Sequence, residues 1–153
     1  MLIRTHLLIT LFFVFLFFEL AENKFIFLSV ALIATLIPDI DTKFSKLGKK
    51  KVLRPLQFFV SHRGFFHSFV FLGLIILLFS LFLPNLIIPF LLGFGLHLLA
   101  DSLTIRGIQP FYPFKLRLRG IIKTGGRIET VIFVLFLIGN LYLIFVKFFN
   151  IYL

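Results

Sequence analysis

The sequence predicts an all-α membrane protein, a bundle of about five transmembrane helices that forms a single domain over residues 1–153. Two observations predict this class. Hydrophobic residues make up 60% of the chain and charged residues only 14%, whereas charged residues account for about 25% of an ordinary soluble domain. Apolar stretches of helical length also recur along the chain, so a multi-pass protein of the inner or plasma membrane is expected.

Five apolar stretches are predicted as helices. They cover residues 7–18, 25–37, 65–83, 86–100 and 130–146. The first two are shorter than the roughly 17 residues needed to cross a bilayer. They cross only if their polar ends are included, back to Leu2 for the first and to Glu22 for the second, and a shallow helical hairpin is the alternative.

Helix-breaking residues mark the boundaries of the predicted helices. Pro38 ends the second helix, and Pro84 with Asn85 forms a turn after the third. Gly125 and Gly126 precede the fifth helix. Connections are therefore short on one side of the membrane and long on the other.

The positive charges predict how the bundle is oriented. Sixteen Lys and Arg residues against six Asp and Glu give a net charge of +10. With the N-terminus in the cytoplasm, 14 of the 16 basic residues lie on the cytoplasmic side and only Lys24 and Lys147 lie outside, as the positive-inside rule requires. The predicted topology is N-in and C-out.

An apolar run follows Arg4 as in a signal peptide, but residues 19–22 offer no small residue before a cleavage point, so a retained anchor is expected.

The predicted topology brings ionisable side chains from all five helices to the cytoplasmic face. Each of them lies near the cytoplasmic end of its helix. They are His6, Asp39, Asp41, His62, His67, His97, Asp101 and Glu129. Ionisable residues at membrane depth are costly to keep there, so these are candidates for a functional site. The chain contains no Cys, so a bound metal would be held by His, carboxylate or water.

His97 and Asp101 are four residues apart in an apolar helix, so both side chains project from one face, one turn apart. An imidazole and a carboxylate at this spacing can bind one cation, or the carboxylate can orient the imidazole. Thr104 lies on the same stripe and can donate a hydrogen bond to the site or cap the helix end. A purely structural pair of a helix-end Asp with a buried His is the alternative.

Asp39 and Asp41 follow Pro38, where the second helix stops. In an extended segment, residues two apart point the same way, so both carboxylates can approach a divalent cation. The helix dipole disfavours two anions at a helix C-terminus, and a bound cation would relieve this conflict. A solvated turn that only ends the helix is the alternative.

The stretch SHRGFFHS, residues 61–68, places two His residues and an Arg around the start of the third helix. Ser61 is expected to cap this helix, and His67 lies inside the apolar run and needs a partner. Arg63 can clamp a phosphate or carboxylate through two hydrogen bonds, or pair with an Asp. Glu129, on physical grounds alone, is expected to be an ordinary acid in the first turn of the fifth helix.

Five segments of the chain resemble the YdjM-like family of predicted inner-membrane metal-dependent hydrolases. They are THLLIT from Thr5, IPDID from Ile37, SHRGFFHS from Ser61, GLHLLADSLT from Gly95 and TGGRIE from Thr124. The family is itself distantly similar to the all-helical zinc-dependent phospholipase C and P1-type nuclease group, which also uses an HxxxD pair. The resemblance implies that the metal-site candidates are His6, Asp39, Asp41, His62, His67, His97 and Asp101, with Arg63, Ser68, Thr104 and Glu129 close by.

These observations favour a hydrolase that uses a divalent metal, expected to be zinc, at the cytoplasmic membrane interface. Seven candidate ligands exceed the four of a closed structural zinc site, which favours several metals or a mix of ligands and supporting groups. A phosphoester, for example a lipid phosphate, is the expected substrate because basic residues surround the site. The candidate catalytic residues are Arg63, Glu129 and Asp41, and a carboxylate among Asp39, Asp41 and Glu129 that does not bind metal would act as the general base.

The two polybasic loops are expected to contact anionic membrane lipid, and a nucleic acid is not the expected partner. The competing function is that of a non-enzymatic membrane protein, either a scaffold whose His and Asp residues are structural or a metal carrier. A conduit needs polar groups through the whole membrane. The outer halves of the helices offer little beyond Ser29, Ser80 and Asn140, which argues against a conduit.

Overall fold

A computed structural model describes residues 1–41 and 65–149 of the chain. Over these residues the predicted all-helical architecture is confirmed. The five α-helices are α1 (Ile3–Leu16), α2 (Lys24–Leu36), α3 (Phe69–Phe82), α4 (Ile87–Ser102) and α5 (Arg127–Phe148). Within the described residues, β structure is limited to two isolated bridges in the connection between α4 and α5.

Polar side chains determine where two of the helices begin. The side chain of Asn23 caps α2, because it accepts a hydrogen bond of 3.1 Å from a backbone N–H in the first turn. Ser68 caps α3 in the same way, at 3.2 Å. Residues Phe65–His67 form a separate 3-10 turn before this cap. The third helix therefore begins at Phe69 and not at residue 65 as predicted, because the side chain of Ser68 caps it. Ser61, the predicted cap, lies outside the described residues.

Two helices are long and apolar enough to cross a membrane. They are Pro84–Ser102, which is a short turn followed by α4, and Arg127–Lys147 within α5. The other three helices have 13 or 14 residues. At a rise of about 1.5 Å per residue each is about 20 Å long, which is shorter than the thickness of about 30 Å of the hydrocarbon core of a bilayer. Five apolar helices are thus observed, whereas five complete crossings stay a prediction.

Helix α4 lies at the centre of the bundle. It packs against α1, α2 and α3, and its contact with α2 is the most extensive between any two described helices. Helix α5 packs against α1 and leaves most of its apolar surface exposed, including Val131, Leu135 and Leu141. A contiguous apolar surface of this kind is costly in water and suits contact with lipid.

The contact between α2 and α4 requires a glycine. A Cβ atom added to Gly93 would overlap the backbone carbonyl of Ala31, so the two helices approach more closely here than a larger residue would allow. One turn further along, the carbonyl oxygen of Thr35 in α2 lies 2.8 Å from Nδ1 of His97 in α4. Gly93 therefore sets the distance at which His97 meets α2.

The two ends of the bundle carry different polar groups. At one end, the carboxylate of Glu19 lies 2.9 Å from Nζ of Lys147 and 3.4 Å from Nζ of Lys24. The Lys147 ammonium, followed by that of Lys24, lowers the pKa of Glu19. Nearby, Asn85 donates a hydrogen bond of 3.2 Å to Glu22. The predicted topology assigns these residues to one side of the membrane, and the structure gathers them at one end; which end faces the cytoplasm stays a prediction.

We expect Gly93→Ala to destabilise the protein, because the new methyl group must push α2 and α4 apart. The expected loss is about 1–3 kcal/mol, measured as the free energy of unfolding by sodium dodecyl sulfate in mixed micelles. Gly95→Ala in the same helix is the matched control. A Cβ at Gly95 meets no atom within 4 Å, so this variant should gain up to about 1 kcal/mol from the better helix propensity of Ala. Equal stability of the two variants would contradict the close contact.

Candidate metal centre

Polar residues from four helix ends come together at one end of the bundle. His6 lies in the first turn of α1, and Asp39 lies in the 3-10 turn that follows α2. His67 immediately precedes the cap of α3, and His97 and Asp101 lie in the last turns of α4. The three His residues and Asp101 are buried, and Asp39 is half-buried.

Asp101 contacts several other groups of this cluster. Its Oδ1 lies 3.3 Å from Nε2 of His6, and its Oδ2 lies 3.9 Å from Nε2 of His67. The α-amino group of Met1 also forms an ion pair with Oδ1. The rings of His6 and His97 stack in parallel with their centroids 3.9 Å apart, and the centroid of His67 lies 5.5 Å from that of His97. Three imidazoles and a carboxylate therefore share one small buried volume.

Two sets of three side chains in the cluster have a spacing that suits a metal ion. The first set is His6, His97 and Asp101, and the second is Asp39, His67 and His97. In each set the ligand atoms lie within 4.8 Å of one another, and His97 belongs to both sets. Nitrogen and oxygen donors of this kind suit zinc and other first-row divalent metals.

The backbone of α2 orients the ring of His97. Nδ1 of His97 lies 2.8 Å from the carbonyl oxygen of Thr35. Because a carbonyl only accepts, this contact assigns the ring proton to Nδ1 and leaves a lone pair on Nε2. Nε2 is buried and has no hydrogen-bond partner among residues 1–41 and 65–149. A ligand His usually donates its second nitrogen to a backbone carbonyl or carboxylate, so His97 fits a metal ligand.

Thr35 is in turn held by two helices. Its hydroxyl donates a hydrogen bond of 2.8 Å to the carbonyl of Ala31 in the same helix. The hydroxyls of Thr10 in α1 and Thr35 are also 2.8 Å apart, and both residues are buried. The side chain of the residue whose carbonyl orients His97 is therefore held from α1 as well as from α2.

Glu129 ties α5 to the start of α1. Its Oε1 accepts hydrogen bonds from the backbone N–H of Leu2 at 2.5 Å and from the hydroxyl of Thr5 at 2.9 Å. Its Oε2 accepts a hydrogen bond of 2.6 Å from the N–H of Gly125. The N-cap residue of α1 makes no side-chain cap, so Glu129 supplies this cap from another helix. Both carboxylate oxygens are engaged, which favours a positioning role over the role of general base that the sequence suggests.

The structure brings together five of the seven predicted metal ligands. Three other predicted site residues have side chains outside the described part of the chain. The five are His6, Asp39, His67, His97 and Asp101. The side chain of Asp41, with His62 and Arg63, lies outside the described residues. Thr104 donates a hydrogen bond of 2.8 Å to the backbone carbonyl of Asp101, so of its two predicted roles it takes that of capping the helix end.

Three groups that shape the site are not predicted from the sequence. The Thr35 carbonyl leaves no side-chain pattern, because every residue has a carbonyl. Thr5 lies in the THLLIT segment, but it acquires a role only when Glu129 is placed beside it. The α-amino group of Met1 pairs with Asp101, which lies 100 residues further along the chain, and no spacing along the chain indicates this pair.

A bundle of apolar helices with ionisable side chains buried at one end is typical of a membrane protein with a buried polar site. Comparison with known proteins agrees with this class. Residues 1–151 match the family described as "YdjM inner membrane protein". The chain belongs to this family.

The curated relatives are bacterial proteins. The chain is 30% identical to "Uncharacterized protein YvsG" of Bacillus subtilis over 106 residues, 65% of this chain and 66% of the relative. It is 35% identical to "Inner membrane protein YdjM" of Escherichia coli and of Shigella flexneri over 98 residues, 58% of this chain. The matched region spans 50% of these two proteins. No solved structure matches the chain.

We expect Glu129→Ala to destabilise the protein, because it leaves the buried hydroxyl of Thr5 and the part-buried N–H groups of Leu2 and Gly125 without their acceptor. The expected loss is about 3 kcal/mol, measured by unfolding in mixed micelles. Glu22→Ala is the matched control, because this acid is exposed at the opposite end and makes one hydrogen bond. Its loss should stay below about 0.5 kcal/mol. If both variants lose the same stability, Glu129 does not brace the two helices.

Proposed function

We propose that the protein is a membrane-bound metal-dependent hydrolase that acts on a phosphoester at the cytoplasmic interface of the membrane. The observation that carries the proposal is the set of His6, His97 and Asp101. These three side chains are buried at the ends of apolar helices and offer ligand atoms within 4.8 Å of one another. One of them, His97, is already held in the orientation of a metal ligand by the carbonyl of Thr35.

The metal that suits this set best is zinc, which would be held by His6, His97 and Asp101. Catalytic zinc sites combine three protein ligands with a water molecule. When bound, the metal would lower the pKa of that water and polarise the scissile bond. His97 is common to both sets of three, and its Nδ1 is engaged by Thr35. One ion per chain is therefore better supported than one ion in each set.

Among the described acids, Asp39 is best suited to act as the general base. It is half-buried at the edge of the cluster, whereas Asp101 and Glu129 are buried. A base must pass its proton on to solvent or to the leaving group, which requires access to both. Asp101, with His6 and His67 beside its two oxygens, is better suited to hold the imidazoles in place.

Charge supports a phosphoester as the substrate. The connection between α4 and α5, residues 103–126, is here named the basic connection. It contains five basic residues and no acidic residue, and it begins two residues after Asp101. Cations around a site raise the local concentration of anions. The distribution of basic residues also supports an N-in, C-out topology with all five helices in the membrane.

A structural scaffold is the second candidate function. The contacts of Asp101 with His6 and His67 favour it, because a carboxylate paired with two imidazoles can lock helix ends together without a metal. Metal content separates the two functions, because only the hydrolase needs an ion bound in this cluster.

We expect wild-type protein, purified in mild detergent with zinc and then freed of excess metal, to retain about one zinc ion per chain by elemental mass spectrometry. Asp101→Asn and His97→Gln should lose it, because each removes a ligand with little change in size. Glu22→Gln at the opposite end should keep the wild-type content. A chelator should lower the melting temperature of wild type but not of Asp101→Asn. Wild-type protein without stoichiometric metal would leave the scaffold as the function.

We expect the zinc-loaded protein to hydrolyse a phosphoester, tested with phosphatidic acid, a phospholipid and a generic phosphodiester. A chelator should abolish turnover and added zinc should restore it. Asp39→Asn should lower kcat by about 100-fold or more while zinc is retained, because Asp39 lies outside the set that binds the ion. Turnover that persists in Asp101→Asn would show that the activity comes from another protein in the preparation.

A further inference from the structure

We propose that the basic connection is a binding surface for the headgroups of anionic phospholipids. The surface is distinct from the metal centre and does not depend on the hydrolase proposal. Exposed cations and exposed apolar side chains alternate along it. Lys115, Arg117 and Arg119 are exposed, and they alternate with Phe114, Leu116 and Leu118, which are exposed as well.

The basic connection is folded and not an extended tether. Backbone hydrogen bonds pair Ile108 with Leu118 in both directions, at 2.9 and 3.0 Å, and join Ile105 to Ile122 at 3.0 Å. Gly107 permits this fold, because its φ is +63° and a Cβ there would overlap the carbonyl of Leu118. A folded segment holds its cations at fixed positions. Less conformational entropy is therefore lost when these cations bind anionic headgroups.

The basic connection is attached to the end of the bundle that holds the metal centre. At its start, the hydroxyl of Thr104 donates a hydrogen bond to the backbone carbonyl of Asp101. Further along, the carbonyl of Pro110 accepts a hydrogen bond of 2.8 Å from the N–H of Phe69 at the start of α3. It therefore lies where two apolar helices end. In a membrane protein this is the depth of the lipid headgroups.

Its charge and its apolar residues together point to lipid and not to a soluble anion. Within the described residues, neither Arg117 nor Arg119 forms an ion pair with an acid, in contrast to Lys24 and Lys147 at the opposite end, which pair with Glu19. Phe114 is 73% exposed, which is costly in water but favourable at the boundary between headgroups and acyl chains. Basic residues at that depth attract anionic lipids.

The experiment titrates the full chain, in neutral detergent micelles, with phosphatidylglycerol and measures bound lipid by native mass spectrometry. Phosphatidylcholine and inorganic phosphate serve as the zwitterionic and soluble comparisons. Wild type should bind phosphatidylglycerol more tightly than phosphatidylcholine. Arg117→Gln/Arg119→Gln should weaken the binding of phosphatidylglycerol about thirtyfold. Lys24→Gln/Lys147→Gln removes the same charge at the opposite end and should leave this binding unchanged.

Equal losses in the two double variants, or no loss in either, would overturn the proposal. Inorganic phosphate that binds as tightly as the lipid and needs the same two arginines would assign the surface to a soluble anion instead. A dimer that disappears only in Arg117→Gln/Arg119→Gln would assign it to a second copy of the chain. The wild type gives a test that needs no variant: an increase in salt from about 50 to about 200 mM should weaken the binding of phosphatidylglycerol, and an unchanged affinity would contradict a charge-based site.

Discussion

The close contact between α2 and α4 at Gly93 is the constraint on which the polar site depends. Because Gly93 has no side chain, α4 lies against the backbone of Ala31. The next turn then brings the ring of His97 to the carbonyl of Thr35, at 2.8 Å. That hydrogen bond fixes which ring nitrogen carries the proton, and it leaves the other nitrogen available to a ligand. A backbone contact between two apolar helices thus determines the chemistry of a buried imidazole.

The rest of the site is arranged around a second constraint, the cost of burying ionisable groups without partners. Asp101 satisfies it by gathering His6, His67 and the α-amino group of Met1 around one carboxylate. Glu129 satisfies it by accepting three hydrogen bonds at the starts of α1 and α5. The two buried acids thus have different roles, since Asp101 lies among candidate metal ligands and Glu129 braces the helix that carries His6.

Much of the fold follows from the sequence, because apolar stretches and breakers are local signals. The predicted end of the second helix and the start of the fourth lie within a residue of the observed ones. The start of α3 differs from the prediction because the apolar run already begins at residue 65, whereas the helix begins only after the cap formed by the side chain of Ser68. The fold of the basic connection is not predicted, because its pairing of Ile108 with Leu118 depends on backbone hydrogen bonds and on a positive φ at Gly107.

The candidate site is predicted in its residue types but not in its connections. The spacing of His97 and Asp101 indicates that they share a helix face, and the topology indicates that His6, Asp39 and His67 lie at the same end. Neither signal identifies the Thr35 carbonyl, since any residue at that position would offer one. Nor does either separate Glu129 from the other acids, because its role depends on Leu2 and Thr5 in a distant helix.

The dependence of the polar site on the contact at Gly93 is measured by the zinc affinity of Gly93→Ala compared with that of Gly95→Ala, in competition with a chromophoric chelator. Neither glycine offers a ligand to the metal, and only Gly93 sets the distance between His97 and Thr35. We expect Gly93→Ala to weaken zinc binding about tenfold or more, because the group that orients a ligand is displaced, and Gly95→Ala to bind zinc as wild type does. Equal affinities in both variants, or no zinc binding by the wild type, would contradict this dependence.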